Sequence, residues 1–134
     1  TMRAMPLVTV TLHKGKPPEF LRSVGDAIHE ALVAQAKIPV GDRFQVFHEV
    51  EAGNIDADPA FAGANTVQRS EDLLIIQIVL NEGRTDVTKS AIYAEIASNL
   101  RTKAGIRPDD VFVSLVEVVK QNWSMALGVM TYPT

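Results

Sequence analysis

The sequence contains no cysteine among its 134 residues. That excludes disulfides, thiolate nucleophiles and every zinc site built on sulfur. Excess positive charge is missing too: the net charge is −3. No bulk field would recruit nucleic acid or an anionic membrane. No apolar run approaches the roughly 20 residues needed to span a bilayer. The segment Thr1-Met2-Arg3-Ala4-Met5 has no apolar stretch of the signal-peptide kind, so a cytoplasmic location is expected. There is no G-x-S-x-G, H-E-x-x-H, phosphate loop or dinucleotide fingerprint. What is present is an ordinary globular composition, 46% hydrophobic and 22% charged, in a chain of single-domain length.

The chain repeats itself. Sliding it against itself by 68 positions places Leu12 on Leu80, Gly15 on Gly83, Ile28 on Ile96 and Leu32 on Leu100. Further along, Ala36 falls on Ala104, Ile38 on Ile106, Asp42 on Asp110, Phe44 on Phe112 and Glu49 on Glu117. Between these identities like replaces like, as with Val8 and Ile76 or Lys16 and Arg84. A duplicated unit of about 50 residues follows, with repeats at 6–50 and 74–118 in one domain and a connector at 51–71.

Both units read alike. Pro6 to His13 and Leu73 to Leu80 are β-branched, apolar runs that suit strands. A glycine turn follows each, at Gly15 and Gly83. Pro17 and Pro18 can open a first helix, whose first turn needs no backbone donor. Phe20, Val24, Ile28 and Leu32 then form an apolar stripe. Thr85 or Asp86 can cap a second helix, with Ile92, Ile96 and Leu100 inward and Gly105 at its end. Asp42 to Val50 and Asp110 to Val119 are the returning strands. Each half is β-α-β with a right-handed crossover. The predicted fold is α+β: a four-stranded mixed sheet with two helices on one face. The opposite sheet face is apolar and uncovered, which implies an oligomer. A connector as long as 51–71 suits a functional or oligomer-forming role. Residues 126–134 are expected to form a short strand or hairpin that pairs with a neighbouring subunit.

Few residues can carry chemistry. The plain reading of Asp42 and Asp110 is an exposed aspartate at a turn or strand start. His13, His29 and His48 lack metal-ligand spacing. Arg84 follows Gly83 at a strand-to-helix turn, where its planar fork can meet a carboxylate. Trp123, the only tryptophan, sits in a polar stretch and is expected to line a pocket or interface. Pro6 opens the first strand directly after Met5. Were Met5 removed as an initiator, Pro6 would carry a free secondary amine. Burial would lower the pKa of that amine toward neutrality and make it a general base. With less desolvation it would remain a cationic acid or anchor.

Met5-Pro6-Leu7-Val8, Pro39-Val40-Gly41-Asp42-Arg43-Phe44, Gly83-Arg84-Thr85, Pro108-Asp109-Asp110-Val111-Phe112 and Asn122-Trp123-Ser124 stand in one specific order. Together they resemble the tautomerase superfamily, in its fused two-unit type, as in the malonate semialdehyde decarboxylases and their relatives. The resemblance implies a homotrimer whose apolar sheet faces form an inner barrel. It implies no metal and no organic cofactor. Pro6 matches the amino-terminal catalytic proline, and Asp42 an aspartate that positions the reacting group or a water. Arg84 matches an arginine that binds the substrate carboxylate, and Trp123 a residue of the pocket wall. Glu82 stands where the decarboxylase has a second arginine, and Met125 where an aromatic often follows Trp-Ser. The implied activity is enol–keto tautomerisation or decarboxylation of a small 2-oxo or 3-oxo carboxylic acid. The alternative is a non-catalytic trimeric binding or scaffold protein in which residues ahead of Pro6 block its nitrogen.

Overall fold

The structure, a computed structural model, describes residues 5–133. The first repeat comprises strand β1 (Leu7–His13), helix α1 (Pro18–Ala36) and strand β2 (Phe44–Val50). The connector contributes two short strands, β3 (Phe61–Ala62) and β4 (Asn65–Thr66). The second repeat comprises β5 (Leu74–Asn81), α2 (Asp86–Ala104) and β6 (Val111–Val118). The main sheet has the order β2-β1-β5-β6. β1 runs parallel to β2, β5 parallel to β6, and β1 antiparallel to β5 at the centre. This is the mixed sheet with two β-α-β units that the sequence predicts.

The helices form where the local chemistry allows. Pro17 is the extended cap of α1 and Pro18 its first residue, where a missing donor is harmless. The Thr85 hydroxyl caps α2 by accepting from Thr88 N. Both helices end on a left-handed residue, Lys37 at φ 59° and Gly105 at φ 66°. Val24, Ala27, Ile28, Ala31 and Leu32 of α1 are buried together with Ile92, Ile96 and Leu100 of α2. They pack on Val8, Val10 and Leu12 of β1 and on Ile76, Ile78 and Leu80 of β5. Alternate strand residues face the helices.

The repeat is visible in backbone contacts as well as in sequence. Lys14 N donates to Val50 O at 2.9 Å, and Glu82 N to Val118 O at 2.9 Å. Ile38 N reaches Leu32 O at 3.2 Å, and Ile106 N reaches Leu100 O at 3.2 Å. Asp42 N donates to Pro39 O at 2.9 Å, as Asp110 N does to Arg107 O.

The remaining sheet face has no helix on it. Leu7, Phe44, Val46, Phe112 and Val116 all stand exposed there. Among the described residues, no helix is long and apolar enough to cross a membrane.

Two expectations need correction. Residues 126–133 form no strand. They turn back through Thr131 N, which donates to Trp123 O at 2.9 Å, and the Thr131 hydroxyl, which accepts from Met125 N at 2.9 Å. Residue 134 lies outside the described residues. The connector is also more than a loop. Its Asp58 carboxylate accepts from Ala60 N and Phe61 N, and Arg69 donates to Asp58 O and Phe61 O.

Candidate active site

Strand direction decides which chain ends meet. β1 begins where β5 ends, because Leu7 pairs with Val79. β2 begins beside the start of β1, because Leu7 also pairs with Phe44. β6 ends beside the end of β5, where Asn81 pairs with Val118. Residues just before β1 and β2, and just after β5 and β6, therefore share one end of the sheet. Pro6, Asp42, Arg84 and Trp123 occupy those four positions.

Arg84 is held firmly. Its Nη1 donates to Asn81 O at 2.8 Å, and its Nη2 to Ala36 O at the last turn of α1 at 3.1 Å. Its Nε is buried without an acceptor. Among the described residues, no carboxylate pairs with it directly. Burial pulls the guanidinium pKa below its ordinary value, and the charge of Glu117 opposes that shift. Glu117 is itself held below the usual carboxylate range, chiefly by the hydrogen bond from Lys89, at 2.8 Å. Arg84 thus lines the cavity as a cation, and Glu117, whose charge acts on it, is paired with Lys89.

Arg84 lines a cavity of about 660 Å³ between the end of α1, the turn after β5 and the exit of β6. Gln35, Lys37, Asn81, Thr88 and Lys120 are among the other lining residues. Pro6, Asp42 and Trp123 are not. Trp123 is joined to the cavity through Asn81: its indole Nε1 donates to Asn81 Oδ1 at 2.7 Å. Asn81 therefore holds both Arg84 and Trp123, one by its carbonyl and the other by its amide oxygen. Sequence reasoning missed Asn81. The available signal was its place directly after the apolar run Leu73 to Leu80, before the turn that carries Arg84.

Asp42 is fully buried, not exposed as the plain reading of the sequence expects. Asp110 is buried as well. The reason is visible at Asp110, whose carboxylate accepts from Ser70 N and the Ser70 hydroxyl, both at 2.7 Å. A buried carboxylate persists where backbone donors meet it. Pro6 is buried at the head of β1, and Met5 before it is only 5% exposed. With Met5 attached, the Pro6 nitrogen is a tertiary amide and no base. His29 is a packing residue whose Nε2 lies 2.8 Å from Val40 O. Among the described residues, no group of three or more His, Asp or Glu is placed to hold a metal ion.

Known proteins resemble this chain along most of its length. A family model described as "Tautomerase enzyme" matches residues 42–126, and a second with that description matches residues 6–61. The chain belongs to the tautomerase family. Of curated proteins, it is 31% identical to the probable tautomerase YusQ of Bacillus subtilis, covering 92% of this chain and 95% of that one. Of solved structures, it is similar to a malonate semialdehyde decarboxylase at TM-score 0.84 and 27% identity, covering 92% of this chain and 93% of that one. The FG41 malonate semialdehyde decarboxylase inhibited by 3-bromopropiolate is similar at TM-score 0.84 and 33% identity, over 94% and 93% of the two chains. A fused 4-OT solved as a symmetric trimer shares the fold at TM-score 0.72 and 19% identity, over 92% and 94%.

Proposed function

We propose that this tautomerase-family chain is a cofactor-independent enzyme for a small 2-oxo or 3-oxo carboxylic acid, acting through Pro6 and Arg84. The observation that carries this reading is the held Arg84 guanidinium on the wall of a 660 Å³ cavity, at the sheet end where Pro6 stands. Continuing the β1–β5 register by two residues sets Met5 opposite Asn81, a cavity residue. Removal of the chain up to Met5 would open that space and leave the Pro6 amine beside it.

The chemistry then follows from charge. Arg84 binds the substrate carboxylate through the N–H groups not spent on carbonyls. In a tautomerisation, neutral Pro6 takes the enol hydroxyl proton and returns it to the adjacent carbon as the C=O forms. In a decarboxylation, cationic Pro6 polarises the carbonyl of a 3-oxo acid while the C–C bond to the carboxylate breaks. Carbon dioxide leaves, and the enol carbon takes up a proton. Arg84 stabilises the developing negative charge, Asp42 positions the reacting group or a water, and Trp123 braces the cavity residue Asn81. Each chain has one such site, since Leu74 and Lys16 replace Pro6 and Arg84 in the other repeat.

A homotrimer belongs to the same reading. The uncovered apolar sheet face, with Phe44 51% and Phe112 47% exposed, supports burial between copies. A fused 4-OT of the same fold forms a trimer.

The test is ketonisation of phenylenolpyruvate, followed by ultraviolet absorbance, on chains that begin at Pro6. Turnover is expected, with strong loss in Pro6→Gly and in Arg84→Ala. Equal turnover in wild type and both variants would reject the site. The second reading, a trimeric binding or scaffold protein, is favoured by the burial of Met5 against the Pro6 nitrogen. It predicts an intact trimer by sedimentation with no turnover from a chain whose mass shows Met5 retained.

A further inference from the structure

The described cations of this chain are nearly all accounted for. Lys14, Lys16, Arg43, Lys89, Lys103 and Arg107 pair with carboxylates. Lys37, Arg69 and Arg84 donate to backbone carbonyls. Arg22 and Arg101 stand exposed in water. Lys120 differs from all of them. It is half-buried, and its ammonium has no hydrogen-bond or ion-pair partner among the described residues. It also lines the Arg84 cavity. An ammonium on a cavity wall with no carboxylate beside it is available to pair with an anion bound there.

The cavity is cationic and large. Its charged lining residues are Lys37, Arg84, Lys120 and Glu82. Glu82 is exposed, so water screens it, and the Lys37 ammonium already donates to Ala34 O at 3.2 Å. Arg84 and Lys120 are left as the two groups available to anions. Arg84 sits after the end of β5 and Lys120 after the end of β6, and both line the space between these chain exits. The volume of about 660 Å³ lies well inside the range, roughly 300–1,000 Å³, of pockets that enclose drug-sized ligands. A three-carbon acid would leave most of it to water.

We propose that Lys120 is a second anion-binding residue of this cavity, and that it selects oxo acids bearing a second anionic group over otherwise equal monoacids. The proposal rests on the reading of the cavity as an oxo-acid site, with Arg84 taking the carboxylate next to the carbonyl. It gives that site a specificity determinant: a second ion pair at the far end of the ligand, formed without a second arginine near Arg84.

Two five-carbon acids test this. 2-Oxoglutarate and 2-oxopentanoate share one skeleton and differ in the terminal carboxylate. Their dissociation constants are measured by calorimetry on the full chain. Wild type is expected to prefer 2-oxoglutarate by about tenfold, the scale of one charge-assisted pair in a partly dry site. Lys120→Met should bring that ratio close to one, and Lys120→Arg should keep it. If Lys120→Met fails to fold, Lys120→Gln carries the same expectation. A preference that survives loss of the lysine charge overturns the proposal, as does a wild-type chain with no preference or no binding of either acid. The Arg84 reading fails separately. Arg84→Met with undiminished binding of both acids, beside a collapsed ratio in Lys120→Met, removes Arg84 from the site and leaves Lys120 in it.

Discussion

Lys16 and Arg84 occupy the same place in the two repeats, 68 residues apart, one residue after a glycine turn. Gly15 has φ 115° and Gly83 has φ 120°, so even the turn is copied. Their side chains do opposite things. Lys16 is neutralised by Asp72 at 2.7 Å, and its ammonium lies 5.1 Å from the centre of the Phe20 ring. Among the described residues Arg84 has no carboxylate partner, and it leans on two carbonyls. The residues before the turns diverge as well: Asn81 anchors Trp123, whereas its counterpart His13 has a buried Nε2 with no partner. Duplication kept the backbone and the core, and divergence at a few turn positions left one half with a cation free for an anion.

The largest expected effect tests the shared core. Ile28 and Ile96 are counterparts, each fully buried. Truncation of either to alanine should cost about 2–5 kcal/mol by chemical denaturation. Costs that differ widely between the two would break the equivalence of the halves. Next comes the asymmetry at the turns. Arg84→Ala should lower kcat/KM for an enol acid by roughly a hundredfold, the scale of losing one preorganised donor to developing charge. Lys16→Ala should leave it nearly unchanged. Similar losses in both would end the single-site reading.

Asp110 sharpens the comparison further, since it fastens the connector to the second repeat. Asp110→Ala removes the charged acceptor of Ser70 N and of the Ser70 hydroxyl and should cost about 1–3 kcal/mol, with faster hydrogen exchange at Ser70 N. The helix ends give a smaller, signed pair. Gly105→Ala places a Cβ at positive φ and should destabilise by about 1 kcal/mol, while Lys37→Gly should be neutral or stabilising by a few tenths. Melting temperatures read both.

The smallest effect is in the connector. Hydrogen bonds from Ala60 N, then Phe61 N, hold the Asp58 carboxyl below its ordinary 3.8. Its contribution is present above the unfolded-state value and is lost as pH falls through the lower folded value. The Ala60 and Phe61 amide shifts should titrate below pH 3.8.

Several features were legible because they depend on local chemistry. The Thr85 cap, the Gly105 terminus and the Ile92, Ile96 and Leu100 stripe follow from side-chain type and spacing alone. The offset of 68 exposed two copies of one β-α-β unit. Arg84 stood out because it follows a turn glycine where the other copy has lysine. Other features depend on distant partners. Asp42 and Asp110 look like surface turn residues, and only packing shows that both are buried. Residues 126–133 have the apolar content of a strand, yet local bonds to Trp123 and Thr131 close them into a turn.

The sequence by itself determined the repeat, the helices and the apolar face of each strand, because periodicity and capping act within a few residues. Tertiary structure alone decided which chain ends meet. The antiparallel pairing of β1 with β5 brings the start of one repeat to the end of the other's first strand. Asn81, Arg84, Lys120 and the Pro6 end of β1 share a neighbourhood through hydrogen bonds and packing between segments far apart in the chain, which no local pattern encodes.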